Sequence, residues 1–338
     1  MSAPRPLARR AAFLLAIFAG LVPVPRASAQ SAPPPGATPA APAPAAPSVA
    51  APRLGGYVQG RETLAHGTGL TAILNRARFS IDGALPSKFS YRFLVELEAP
   101  ATRTTPSTPS LREANIRWAP SAFAVTAGQF KTPFSREYLL PVPALETADF
   151  AAVVDSLSPK YDLGVMGEYA PRPWLSVLAG AFNGEGQNAS ANRDSTILGV
   201  GRVVLRPIAE VAVGGSLALD SSDSLRWGGE ANLEYHGATV RGEYIRRHVD
   251  GRATDREDRG WYVLGLYRVV PNVQLQFREE DFQRPNYGIA RRVQGTTVGV
   301  NFDLVPQRIR LLLNGTNKTA GPAQRHAHAL IAQLQARF

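Results

Sequence analysis

From residue 54 onward, polarity alternates every second residue in segments of about ten residues, which is the side-chain period of a strand and not of a helix. Phe89, Tyr91, Phe93, Val95 and Leu97 share one face of such a segment; Ser90, Arg92, Glu96 and Glu98 share the other. Trp227, Ala231, Leu233 and Tyr235 oppose Arg226, Glu230, Asn232 and Glu234 in the same way, and Val273, Leu275 and Phe277 oppose Gln274, Gln276, Arg278 and Glu280. Ile309 and Leu311 stand against Arg308 and Arg310. Sixteen segments are predicted, starting near Leu54, Leu70, Lys88, Ser110, Ala122, Tyr161, Pro173, Thr196, Glu210, Leu225, Ala238, Arg259, Asn272, Arg291, Gln307 and Arg325. Their connections alternate between short, often proline-bearing turns and longer polar stretches, as expected of antiparallel hairpins with two distinct ends.

Parity alone leaves two architectures open, since a soluble barrel turns its apolar face inward and a membrane barrel turns it outward. Three features favour the membrane barrel, in which the ionic face is wet. Sixteen strands are many for a small soluble barrel. Trp118, Tyr169, Trp174, Tyr235 and Tyr267 sit at strand ends, where an interfacial aromatic belt falls. The chain also closes on Leu330, Ala332, Leu334, Ala336 and Phe338 on one face, ending in an aromatic carboxylate. That ending resembles the signal read by the outer-membrane assembly machinery, although Ala336 replaces the aromatic often found two residues before the end.

The first 29 residues read as a secretory signal: a basic start through Arg10, an apolar run to Val22, and Ala27-Ser28-Ala29 as a cleavage site. The apolar run is too short to span a bilayer as a helix, and no run of eighteen apolar residues follows it. The formal net charge is +10. Four arginines and no acids lie in this leader, so about +6 remains without it. Residues 30–53, nearly all Ala, Pro, Ser and Gly, are expected to form a flexible or polyproline-like spacer, and residues 54–338 the barrel. There is no cysteine, which excludes a disulfide framework, a thiolate nucleophile and a Cys-based zinc site.

One stretch breaks the alternation. After the short strand pattern at Ala122, residues 131–160 show no clean period for thirty residues, and a connection that long inside a barrel is usually functional. It opens inside Gly128-Gln129-Phe130-Lys131-Thr132-Pro133-Phe134-Ser135-Arg136-Glu137-Tyr138-Leu139, which resembles the signature of the phosphate-selective porin O and P family. Asn75-Arg76-Ala77-Arg78-Phe79-Ser80-Ile81-Asp82-Gly83 and Leu111-Arg112-Glu113-Ala114-Asn115-Ile116-Arg117-Trp118 are similar to the same family, in the same order. The resemblance implies an all-β, transmembrane, antiparallel barrel of about sixteen strands. It also implies a homotrimer in the bacterial outer membrane, in contact with its lipid, whose long third extracellular loop folds into the lumen.

Selectivity in such a pore comes from its width and from the charges that line it. The parity places Arg76, Arg78, Arg92, Arg117, Arg241, Arg278, Arg308 and Arg310 on the wet face as candidates for an anion path. The candidate constriction carries Lys131, Arg136 and Lys160 against Glu137, Glu146, Asp149 and Asp155, so it is not a basic loop. Arginine outnumbers lysine 33 to 4, which favours bidentate handling of oxyanions. The expectation is a porin for small hydrophilic solutes with a preference for anions such as phosphate. A plugged barrel acting as an envelope anchor is the alternative, and a barrel hydrolase a weaker one. The five histidines are scattered and no catalytic, metal-binding or phosphate-cradling motif is present, so no enzyme activity, cofactor, metal or nucleic-acid partner is expected.

Overall fold

The computed structural model describes residues 50–97, 108–220, 224–251, 255–284, 291–320 and 325–338. The expected leader, nearly all of the spacer, Glu98 and parts of five connections lie outside the described residues. The strands are β1 (Arg53–Ala65), β2 (Gly69–Leu85), β3 (Phe89–Leu97), β4 (Pro109–Trp118), β5 (Phe123–Lys131), β6 (Tyr161–Arg172), β7 (Leu175–Phe182) and β8 (Leu198–Ile208). They continue as β9 (Val211–Asp220), β10 (Ser224–Tyr235), β11 (Ala238–Val249), β12 (Arg256–Val270), β13 (Val273–Arg284), β14 (Arg291–Val305), β15 (Ile309–Ala320) and β16 (Arg325–Arg337). Each pairs antiparallel with its neighbours in sequence, and β1 pairs with β16, so the sheet is one closed barrel with no free edge. All sixteen begin within three residues of the starts expected from the alternation.

The seam is closed by the last residue: the Phe338 amide donates to the Gly56 carbonyl at 3.1 Å, and Gly56 returns the bond to Phe338 at 3.2 Å. A Cβ on Gly56 would lie 2.6 Å from the Phe338 ring, so glycine leaves room for the aromatic terminus.

The apolar face looks outward. Phe93, Leu233 and Phe277 are 49, 48 and 51% exposed, while Glu96, Asn232 and Arg278 on the opposite face are buried. A soluble barrel would reverse this, so the outer surface is one that hydrocarbon covers. Trp118, Tyr169, Trp174, Tyr235 and Tyr267 ring the end that carries the short turns. Nearer the other end, Trp227 packs on Tyr244 at 5.4 Å, and Tyr244 lies opposite Trp261. From Trp227 to Tyr235 is eight steps of strand, or about 20 Å along the barrel axis at a rise of ~3.3 Å and a tilt of about 40°, close to an outer-membrane apolar band.

The structure differs from expectation in three places. Arg308 is not on a lumenal strand face: it is exposed in the turn between β14 and β15, which starts only at Ile309. Tight reversal at Pro306 and Gln307, the latter at φ 62°, takes those residues out of the ladder. Several connections expected to be long and polar are partly strand: β13 runs to Arg284 and β15 to Ala320, because ladder pairing continues past the apolar band whatever the side chains. The stretch 131–160 is not structureless. It contains α1 (Arg136–Leu139), a 3₁₀ turn (Val142–Ala144) and α2 (Ala152–Leu157), all too short to impose an amphipathic period on the sequence.

Candidate functional site

The segment between β5 and β6 leaves and rejoins the wall through one neck. The Thr132 amide donates to the Lys160 carbonyl at 3.0 Å, and the Thr132 hydroxyl reaches the Pro159 carbonyl. The neck is fixed by a close β4–β5 approach at Gly128, whose φ is +122° and whose absent Cβ would fall 2.2 Å from the Ala114 carbonyl oxygen. Ser135, at φ 62°, reverses the chain into α1 and its hydroxyl accepts from the Tyr138 amide.

From there the segment bonds to the polar faces of strands far around the barrel. The amides of Arg136 and Glu137 donate to Glu230 of β10 (3.1 Å) and Glu243 of β11 (2.6 Å). Ala152 donates to Glu280 of β13 at 2.7 Å, and Ala151 to Glu137 itself at 2.9 Å. Arg241 reaches Glu146 at 2.7 Å, and Arg278 donates to the Thr147 hydroxyl and the Asp149 carbonyl, both at 2.8 Å. Asn301 of β14 donates to the Glu146 carbonyl at 2.8 Å, Asn314 of β15 accepts from Ala148 at 2.9 Å, and Gln335 of β16 donates to the Pro143 carbonyl at 3.0 Å. Arg61 of β1 binds Asp149 at 2.9 Å.

Apolar contacts bind the same segment. Phe134, Tyr138, Ala151, Val153, Val154 and Leu157 form one buried cluster with Phe182, Leu198, Val200, Ile245, Tyr262, Leu264 and Phe282 of the wall. Val142 and Leu145 join Tyr57 in a second. This explains a feature of β12, Arg256–Val270, whose middle is apolar on both faces: membrane covers Trp261 and Val263, and the segment covers Tyr262 and Leu264. Burial pushes the Glu137 carboxyl of α1 up to about 8, against the pull of Arg278.

The remaining charged wall lies on β2–β6. Arg76, Arg78 and Arg112 converge on Glu96, at 3.7, 3.0 and 2.6 Å. Three guanidiniums on one carboxylate leave an excess of positive charge. Arg92 pairs with Asp82 (2.7 Å) and Glu113 (3.1 Å), and Arg117 with Glu168 (2.6 Å). Tyr57 and Tyr161 lie under the guanidiniums of Arg78 and Arg112, at 5.8 and 5.9 Å to the ring centres. The Lys131 ammonium donates to the Tyr138 and Leu140 carbonyls, at 2.5 and 2.7 Å.

The expected site residues therefore divide. Arg76, Arg78, Arg92 and Arg117 stand together on one wall; Arg241, Arg278 and Arg310 hold the segment on the other, Arg310 reaching the Leu145 carbonyl at 3.5 Å as well as Asp303 at 2.7 Å. Within the segment, Glu146 and Asp149 are held by the wall, and Asp155 pairs locally with Lys160, at 2.8 Å. Arg136 contributes its backbone amide. Arg61, Arg112 and Arg202 were missed. Arg112 lies at a bulge between Leu94 and Val95 of β3, which turns it inward against strict parity. Arg202 binds Glu230 through two bonds at 2.5 and 2.6 Å, from a strand whose apolar composition hides its inner face.

Residues 65–210 match the family described as phosphate-selective porin O and P. No curated protein sequence matches the chain. Among solved structures, the fold is similar to an anion-selective porin from Comamonas acidovorans, with TM-score 0.63, 12% identity, 85% of this chain and 99% of that one covered. It is similar to OmpT, an outer membrane protein of Vibrio cholerae, in its trimer form, at TM-score 0.62 and 12% identity over 85 and 99% of the two chains. OmpF of Salmonella typhi, in complex with daunomycin, gives TM-score 0.64 at 8% identity, over 85 and 97%. The family match over residues 65–210 and the closed sixteen-stranded barrel together support an outer-membrane porin, similar over those residues to the phosphate-selective porin O and P family.

Proposed function

We propose that this porin passes small hydrophilic solutes by passive diffusion, with a modest preference for anions, phosphate among them. The observation that carries the preference is the cluster of Arg76, Arg78 and Arg112 around the single carboxylate of Glu96, a local excess of positive charge on β2–β4. A sixteen-stranded barrel encloses a wide aqueous bore, so selectivity requires something to narrow it; the bonds of the segment to the polar faces of β10–β16 support the segment in that role. Family and fold point to a non-enzymatic channel in the bacterial outer membrane. Homotrimerisation, a cleaved leader over residues 1–29, a passive spacer over 30–53 and recognition of Phe338 by the assembly machinery complete the reading.

The test is reversal potential in a salt gradient across a planar bilayer, with phosphate as competitor. Anion-biased steps that phosphate depresses are expected. A protein without ion-permeable steps sinks the channel reading and leaves the second one, a barrel plugged by its own segment, which the two buried apolar clusters of the segment favour.

A further inference from the structure

The acids of the inner wall do not all face water. Glu243 and Glu280 are 5 and 2% exposed, and instead of lining a path they accept backbone N–H groups at the starts of α1 and α2. Glu230 does the same for Arg136 while bound to Arg202. A carboxylate on a backbone amide is a strong, directional bond, and these amides, at the first turns of α1 and α2, have no partner within their own helix. The ionic groups of β10, β11 and β13 that meet the segment are thereby closed off, Arg278 at 2% and Glu280 at 1% side-chain exposure. On β3 and β4 the side chains of Arg92 and Arg117 keep 42 and 36%.

We propose that Glu230, Glu243 and Glu280 are positioning residues: they latch the segment between β5 and β6 onto the β10–β13 wall and so confine the aqueous path to the β2–β6 wall. The proposal rests on the porin reading for its second half only. Glu280 is the central member. Its second oxygen lies 3.0 Å from the Lys318 ammonium and 3.6 Å from the Arg278 guanidinium, and Glu137 faces the same group of charges. The first oxygen is left to Ala152.

The chain has no cysteine, so a single Val153→Cys on α2, at a position 1% exposed, reports burial of the segment to a thiol reagent added to the assembled protein. In that background the cysteine is expected to resist labelling. Glu280→Ala removes the acceptor and raises the labelling rate at least ~10-fold, the scale on which one charged hydrogen bond moves an opening equilibrium. Ala152→Pro removes the donor instead and leaves every wall residue intact; proline is compatible with the first helical position, and Ala151 already has the extended ψ of 143° that precedes proline well. It covers the case in which Glu280→Ala fails to assemble. Glu280→Gln, which retains an acceptor oxygen, stays near the parent rate.

An unreactive Val153→Cys in both Glu280→Ala and Ala152→Pro overturns the latch. Glu280→Gln as reactive as Glu280→Ala also overturns it, by assigning the effect to the Arg278 and Lys318 ion pairs. Single-channel conductance rises with labelling; raised labelling at unchanged conductance overturns the confinement of the path. Thiol reactivity needs no ion flow, so the expected labelling pattern in a protein that never conducts keeps the latch and refutes the porin reading alone.

Discussion

Arg92 and Arg78 have the same chemistry and the same parity, and the barrel gives them different tasks. Arg92 is half exposed between two acids, whereas Arg78 is sealed against Glu96 over Tyr57. Replacing Arg92 or Arg117 with glutamine is expected to lower the anion-to-cation permeability ratio by a factor of ~2–5, since a unit charge at about 4 Å in water is worth ~1 kcal/mol. Arg78→Gln is expected to cost assembly before selectivity, because it leaves a buried carboxylate with one partner fewer. An unchanged reversal potential in Arg92→Gln and Arg117→Gln would show that those arginines only brace the wall. Glu137 gives a pH dependence of definite sign. Its carboxyl is raised to about 8 by burial, with Arg278 opposing the shift and Glu243 and Glu280 adding to it, so the proton favours the docked segment. That stabilisation is complete below the ordinary carboxylate range and is lost as pH rises through about 8. Conductance of the parent is expected to step upward across that window, and Glu137→Gln to show no step.

At the level of elements, the hairpin β4–β5 sets where the segment leaves the wall. Gly128→Ala places a methyl against the Ala114 carbonyl at a φ that L residues avoid, a cost of ~1–3 kcal/mol that falls on the neck itself. The expected result is a barrel that still closes but whose segment is cut by protease far faster than the parent's. Equal protection would mean that β4 and β5 separate there without consequence. The strand alternation was legible because each strand meets two different media. It failed at Arg112, where one bulged residue shifts the face, and at Arg308, where a turn interrupts the ladder. It was silent on α1 and α2, whose first turns depend on glutamates about ninety to one hundred and thirty positions further along the chain.

For the whole molecule, the β1–β16 seam ends on the terminal pair Gly56 and Phe338. Phe338→Ala is expected to reduce the fraction of chains that reach the heat-resistant, compact form on a gel, because the seam loses the side chain that Gly56 makes room for; an undiminished fraction would leave the aromatic terminus without a role in closing the barrel. Deleting residues 31–52 is expected to leave conductance unchanged, since the seam and the contacts of the segment among the described residues lie beyond them. A change in conductance on that deletion would tie the spacer to the bore.

The alternation of polar and apolar residues, by itself, determined sixteen strands, their starts to within three residues, and two unlike faces on each, because period is a local consequence of a strand between two solvents; that the apolar face turns outward needed the strand-end aromatics and the strand count as well. Which charges meet water was decided only by closure of the barrel. Closure carried Glu230, Glu243 and Glu280 to the amides of a segment far away in sequence, and that contact between distant residues, not their type, separates a sealed arginine from an open one.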